Sequence, residues 1–211
     1  MTFSGTYYRD RRLGCFQQYV TGPAHTVLSL PLNLSFDSAA CLGVAGSTAA
    51  ITLRPWLEAP MAPAAPQLSS STAEYLLLWG GSIVTEQFAI QIATRCSLKV
   101  IAITSSKTQS PAQPLGAHHA ISRNGKTEDE IVAEIRSITR DNVARAIDLV
   151  GTQTANHCLK AFSAEKKCIF TPLAMISSKA IIPENVRVEI VEMKQFVLNP
   201  ESRVYALELI A

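Results

Sequence analysis

The sequence lacks closely spaced cysteines, long apolar runs and a strong excess of either charge. Its five cysteines lie at least ten residues apart, which excludes CxxC metal and redox motifs and is typical of reduced thiols inside the cell. No run of about 18 apolar residues predicts a membrane span, and residues 1–5 do not resemble a signal peptide. A net charge of +2 gives no reason to expect nucleic acid or a charged membrane as partner. These absences predict a cytoplasmic globular protein.

Several catalytic and metal-binding signatures are also missing. The sequence contains no G-x-S-x-G elbow and no Walker loop. The adjacent His118 and His119 would face opposite sides of a strand, and there is no cysteine cluster to complete a zinc ligand set. We therefore expect no metal. His157 and Cys158 fall on a predicted helix, where a surface role and a core role are favoured over catalysis.

An apolar run, a pair of glycines and a helical pattern form the central unit of the chain. Tyr75–Trp79 is apolar throughout, Gly80 and Gly81 follow, and helical spacing begins shortly after them. A strand, a tight glycine turn and a helix open a dinucleotide-binding fold, whose helix N-terminus receives the pyrophosphate. The last glycine of that fingerprint is absent: Thr85 and Glu86 stand at its position and crowd it. A buried strand followed by an ordinary packed helix would show the same pattern, so both interpretations stay open.

Strand and helix patterns alternate along the rest of the chain. Segments rich in β-branched residues predict strands, and apolar residues three or four apart predict helices. Thr127 and Glu130 have the spacing of a capping box. The predicted strands cover 98–103, 119–122, 144–150, 168–176 and 186–191, and the predicted helices cover 127–139, 154–163 and 202–210. This alternation predicts an α/β fold with a doubly wound parallel sheet of the Rossmann type.

The N-terminal third of the chain is organised differently. Residues 1–37 predict short strands and turns, and Ser35 is an N-cap candidate for a small-residue helix over 39–53 that Pro55 would end. Prolines and serines make 59–71 a linker-like stretch. The predicted organisation is an N-terminal segment (1–37), a linking helix and loop (38–72) and a Rossmann-type domain (73–211).

The end of the second predicted strand carries hydroxyl and basic side chains. In dinucleotide folds an acidic residue at this place binds the ribose 2′-hydroxyl of NADH, whereas hydroxyl and basic residues receive the 2′-phosphate of NADPH. Ser105, Ser106 and Lys107 occupy this place here. They favour NADPH over NADH if the chain binds a dinucleotide, although a polar turn at the sheet edge accounts for them equally well.

Several stretches carry one family pattern in a constant order. They are Gly14–Val20, Leu30–Ala40, Ala45–Ala50, Trp79–Ser82 with Ala89–Gln91, Leu115–Ala117 and Ala146–Gly151. Together they resemble the medium-chain dehydrogenase/reductase superfamily, in the fungal branch that includes trans-acting enoyl reductases of polyketide pathways. The resemblance implies a Rossmann-type cofactor domain that follows the end of a barrel-like catalytic domain in residues 1–37.

The resemblance also implies positions around a bound NADPH, although it assigns no catalytic residue. The implied positions are Gly80, Gly81 and Ser82 at the pyrophosphate, Ser105, Ser106 and Lys107 at the 2′-phosphate, Thr48 near the nicotinamide carboxamide, and Val150, Gly151 and Ser177 at the nicotinamide ribose. In this branch a hydride passes from NADPH to the β-carbon of an enoyl thioester without zinc. The implied function is therefore an NADPH-dependent enoyl reductase-like oxidoreductase of fungal secondary metabolism, with a polyketide-like substrate and a polyketide synthase as partner.

Two departures from the family pattern keep alternatives open. Family members are much longer than this chain, and Glu86 stands where the family has its last glycine or another small residue. A carboxylate at that place would repel a pyrophosphate. A cofactor-free cyclase or isomerase that derives from a reductase, or a non-catalytic pseudoenzyme, is therefore an alternative. Uncovered strand edges would favour self-association as a homodimer.

Overall fold

The computed structural model describes residues 29–60, 74–80, 83–106 and 112–191, together with a few isolated positions between 18 and 27 and residue 201. Within these ranges it contains six strands and four helices. The strands are β1 (Tyr75–Trp79), β2 (Lys99–Thr104), β3 (His119–Ser122), β4 (Val143–Asp148), β5 (Cys168–Pro172) and β6 (Val186–Val188). The helices are α1 (Phe36–Trp56), α2 (Val84–Arg95), α3 (Glu128–Thr139) and α4 (Thr152–Ala161).

The six strands form one parallel sheet in the order β3-β2-β1-β4-β5-β6. This is the strand order of a doubly wound Rossmann sheet, in which the chain reverses direction across the sheet after the third strand. The prediction of an α/β fold with a doubly wound parallel sheet is confirmed. Because the reversal occurs between β1 and β4, a crevice opens at the carboxyl ends of these two strands.

The apolar run of β1 is explained by burial on both faces of the sheet. Leu76 and Leu78 pack in a core cluster with α1 and α2, whereas Leu77 and Trp79 pack in a second cluster with α3 and α4. All four side chains are at most 2% exposed. Central strands of parallel sheets are covered by helices on both sides, so they are apolar without alternation.

Helix α1 begins at its N-cap Ser35, whose hydroxyl accepts a hydrogen bond from the N–H of Ser38 at 3.2 Å. Pro55, predicted to end the helix, lies inside its last turn. That turn is a wider π-helical one, closed by the N–H of Leu57 donating to the carbonyl of Thr52 at 2.9 Å. The helix is long and apolar enough for a membrane span, but half of its most apolar window is buried inside the fold. We therefore interpret it as a core helix.

Most predicted elements of the sheet region are present, with shorter strands at its far edge. The capping box of Thr127 and Glu130 is formed at the start of α3 and is confirmed. Strand β5 ends at Pro172, four residues before the predicted 176, because the chain turns there: the N–H of Met175 donates to the carbonyl of Pro172 at 3.1 Å. Strand β6 likewise ends at Val188 instead of 191. Most of the N-terminal segment in which short strands were predicted, and the whole helix predicted over 202–210, lie outside the described residues.

Candidate functional site

A cavity of about 330 Å³ lies at the carboxyl ends of β1, β2 and β4. It is lined by Trp79, Gly80, Ile83, Ile103, Thr104, Ser105, Arg123, Leu149 and Val150. Open parallel sheets bind their ligands in the crevice where the strand order reverses. The cavity occupies that crevice, so we take it as the candidate site.

The turn after β1 has a conformation that requires glycine. Gly80 has φ of +116°, a value that residues with a side chain rarely adopt. A Cβ atom at this position would lie 3.0 Å from Cγ2 of Val150 and 3.1 Å from Oε2 of Glu86. The backbone of the turn is held by the N–H of Gly80 donating to the carbonyl of Ile103 at 3.1 Å. The glycine therefore lets bare backbone border the cavity, as the pyrophosphate turn of a dinucleotide fold does.

Two hydroxyl residues and one arginine, Thr104, Ser105 and Arg123, line the β2 side of the cavity. Thr104 ends β2, and its buried hydroxyl has no hydrogen-bond partner in the part of the chain that the structure describes. Arg123 follows β3, and its N–H donates to the carbonyl of Thr104 at 2.9 Å. This bond holds the backbone of Arg123 at the end of β2, and Arg123, Thr104 and Ser105 line the same cavity. Such a set suits a phosphate group.

Arg123 is a candidate binding residue that reasoning from the sequence missed. It lies one strand further along the chain than Ser105, and only the parallel pairing of β2 with β3 brings the two residues to one cavity. A signal was available, since carboxyl ends of neighbouring parallel strands meet at the same edge of a sheet. Applying this rule requires knowing that β2 and β3 are neighbours in the sheet, which the sequence pattern does not reveal.

A buried carboxyl ends β4. Asp148 accepts hydrogen bonds from the N–H of Val150 at 3.0 Å, the N–H of Gly151 at 3.4 Å and the hydroxyl of Thr154 at 2.9 Å. Burial raises the pKa of Asp148, although these bonds act in the opposite direction. Asp148 thus anchors the loop that forms the β4 side of the crevice, a role that the sequence pattern did not reveal.

A second buried carboxyl lies in the first turn of α2. Glu86 is fully buried, and its carboxyl lies against Gly80. Burial, and next the negative charge of Asp148, raise the pKa of Glu86 well above its ordinary value of 4.5. Glu86, which stands in place of the last glycine of the fingerprint, therefore lies against the glycine turn, and Asp148 is its charged neighbour.

The structure brings only some of the predicted site residues together. Gly80, Ser105 and Val150 line the cavity. Ser106 and Gly151 are next to it, and their N–H groups donate to Asn124 and Asp148. The remaining predicted positions are elsewhere or undescribed: Thr48 is half-buried on α1, Ser177 lines a separate cavity of about 740 Å³ beside α4, and Gly81, Ser82 and Lys107 lie outside the described residues. The roles of all ten residues stay predictions.

The histidines and cysteines of the sheet region have structural surroundings. Among the described residues, no three His, Cys, Asp or Glu side chains are grouped to hold a metal ion. His118 accepts a hydrogen bond from the N–H of Val100 through Nδ1 at 3.1 Å, and His157 stacks on Trp79 with 5.9 Å between ring centroids. Cys158 is fully buried, which raises the pKa of its thiol. These contacts support packing roles for the three residues.

The crevice shares three features with the dinucleotide sites of Rossmann-type folds. These are the glycine turn at Gly80 with its positive φ, the helix α2 that follows the turn, and Arg123, which follows β3 and lines the cavity beside the end of β2. The buried carboxyl of Glu86 is compatible with a diphosphate when it is protonated, because a neutral acid does not repel the anion. Strand order and crevice together define the class of Rossmann-type α/β proteins.

Comparison with known proteins narrows this class. No family model matches the chain. Among curated proteins, the trans-enoyl reductase traG of Penicillium crustosum is 33% identical over 155 residues, which cover 72% of this chain and 42% of the relative. The trans-enoyl reductase iccB of Talaromyces variabilis is 29% identical over 152 residues, or 72% of this chain and 40% of the relative. The chain thus spans about two fifths of the length of these relatives.

Solved structures give the same fold. A quinone oxidoreductase of Pseudomonas syringae pv. Tomato superposes with a TM-score of 0.71 at 19% identity, covering 90% of this chain and 61% of that one. The Escherichia coli quinone oxidoreductase complexed with NADPH superposes with a TM-score of 0.68 at 18% identity, covering 88% and 55%. The predicted resemblance to the medium-chain dehydrogenase/reductase superfamily, in its fungal enoyl reductase-like branch, is confirmed.

Proposed function

We propose that the chain binds NADPH in the crevice at the carboxyl ends of β1, β2 and β4, as the cofactor domain of an enoyl reductase. The observation that carries this proposal is the meeting of Arg123 and Ser105 in the same cavity as the Gly80 turn. The turn provides bare backbone and a helix N-terminus for the diphosphate, and Arg123 provides charge for the 2′-phosphate. The quinone oxidoreductase of E. coli, which has this fold, was solved with NADPH.

The reaction and its substrate are proposed from the relatives. Curated proteins that match the chain are named trans-enoyl reductases, so we propose a polyketide-type enoyl thioester as substrate and a polyketide synthase as partner. NADPH would supply a hydride for the β-carbon of the substrate while a proton adds to its α-carbon, which yields the saturated thioester and NADP⁺. The described residues would bind and orient the cofactor, and they are not assigned to proton transfer. Zinc independence and a homodimer stay predictions.

Cofactor titration tests the proposed function directly. Purified protein is titrated with NADPH, and binding is followed by nicotinamide fluorescence and by calorimetry, with NADH as the matched control. We expect saturable binding with a dissociation constant on the order of micromolar for NADPH and weaker binding of NADH. Absence of binding at millimolar NADPH would contradict the proposal and favour a cofactor-free cyclase or isomerase.

A further inference from the structure

Glu86 lies directly beneath the glycine turn of the crevice. It is the third residue of α2, and its side chain is 0% exposed. Neither carboxyl oxygen has a hydrogen-bond partner in the described part of the chain. A Cβ atom at Gly80 would lie 3.1 Å from Oε2 and 3.2 Å from Oε1 of Glu86. An unpartnered buried carboxyl thus occupies the underside of the backbone that borders the cavity.

The charged group that acts on Glu86 is another carboxyl. From β4, Asp148 acts on Glu86 and, after burial, is the second cause that raises its pKa. From α4, the buried thiol of Cys158 has its own pKa raised by burial, then by Asp148 and Glu86. His157, also on α4, stacks on Trp79. These surroundings favour the neutral form of Glu86.

A bound diphosphate makes an ionised Glu86 still less favourable. The diphosphate of a dinucleotide rests on the first turn of the helix after β1, and that turn contains Glu86. Two negative charges a few ångströms apart repel strongly where water is excluded, whereas a protonated carboxyl is neutral and can donate a hydrogen bond. We propose, building on the proposed function, that Glu86 controls cofactor binding: the crevice accepts the dinucleotide only while the Glu86 carboxyl carries its proton.

Cofactor affinity then falls as the pH rises. Below the pKa of Glu86 in the free protein, the carboxyl is protonated with and without cofactor, and affinity does not depend on it. Between this pKa and the still higher pKa in the complex, binding takes up one proton, and affinity falls about tenfold for each pH unit. An uncharged residue at position 86 removes this dependence.

The test compares three proteins over a range of pH. Glu86→Gln keeps the shape of the side chain without its titration, and Glu165→Gln is a matched change at an exposed carboxyl between α4 and β5. NADPH affinity is measured by fluorescence from about pH 5.5 to about pH 8.5, and calorimetry in two buffers of different ionisation enthalpy counts protons taken up. The 2′-phosphate of NADPH titrates at about pH 6 with every protein variant, so its contribution cancels when the variants are compared. Glu86→Gly is a second variant without the titrating group, for use if glutamine prevents folding.

The parent and Glu165→Gln should lose affinity toward high pH and take up as much as one proton per cofactor. Both Glu86 variants should match the parent at the lowest pH and bind more tightly than the parent at the highest pH, by about tenfold for each pH unit above the pKa of Glu86 in the free protein. Equal pH profiles and equal proton uptake in the parent and the Glu86 variants would overturn the inference and leave the proposed function intact. Absence of NADPH binding in every variant at every pH would overturn both.

Discussion

Replacing Glu86 with glutamine should stabilise the ligand-free protein at neutral pH. In the unfolded chain this carboxyl has a pKa near 4.5, and in the folded protein burial and then Asp148 raise the pKa well above that value. Between the two pKa values the unfolded state releases a proton that the folded state keeps, so the free energy of unfolding decreases as the pH rises. Glutamine has a similar shape and does not titrate, so it removes this loss of stability.

The size of the effect depends on how far apart the two pKa values are. Each unit of separation changes the free energy of unfolding by about 1.4 kcal/mol. Below pH 4.5 the carboxyl is neutral in both states, and the two proteins should differ by no more than about 1 kcal/mol. Above it, the advantage of Glu86→Gln should grow by about 1.4 kcal/mol per pH unit and become constant once the pH exceeds the folded pKa. For a domain that is stable by about 5–15 kcal/mol this change is large.

Urea unfolding at a series of pH values measures this difference. Trp79 is only 2% exposed and lines the crevice, so its fluorescence reports the unfolding of this region. Glu165→Gln is the control, because it makes the same chemical change at an exposed carboxyl. A stability difference between the parent and Glu86→Gln that is the same at every pH would refute the reasoning, since it would show that Glu86 titrates normally in the folded protein.

Three further predictions concern the crevice and the first turn of α3. Gly80→Ala should lower the free energy of unfolding, measured with urea, by about 1–3 kcal/mol, because it places a side chain at φ of +116°. Gly43→Ala on α1 is the control, because a Cβ atom there meets nothing within 4 Å. Arg123→Ala should weaken NADPH binding about tenfold and leave NADH binding unchanged, and an equal loss for both cofactors in titration would argue against a 2′-phosphate contact. Thr127→Ala should reduce stability by about 1 kcal/mol, whereas Thr127→Ser should not; thermal unfolding that fails to separate the two variants would speak against the cap.

Local patterns predicted the elements of the sheet region well. The apolar run of β1, the β-branched residues of β2 and the capping box of α3 are each encoded within a few neighbouring residues, so they need no knowledge of distant contacts. The ends of β5 and α1 were less predictable. A turn after Pro172 and a π-helical turn around Pro55 depend on hydrogen bonds that the pattern of apolar residues does not reveal.

The sequence by itself determined the α/β class, the glycine turn at Gly80 and the presence of a carboxyl at Glu86. Only the tertiary structure decided which groups meet at the crevice. Strand pairing brings Arg123 to Ser105, and the reversal of strand order between β1 and β4 places Asp148 near Glu86. Those contacts join residues far apart in the chain, and they arise from the packing of whole strands and helices. Periodicity within one segment carries no information about which other segment will lie beside it.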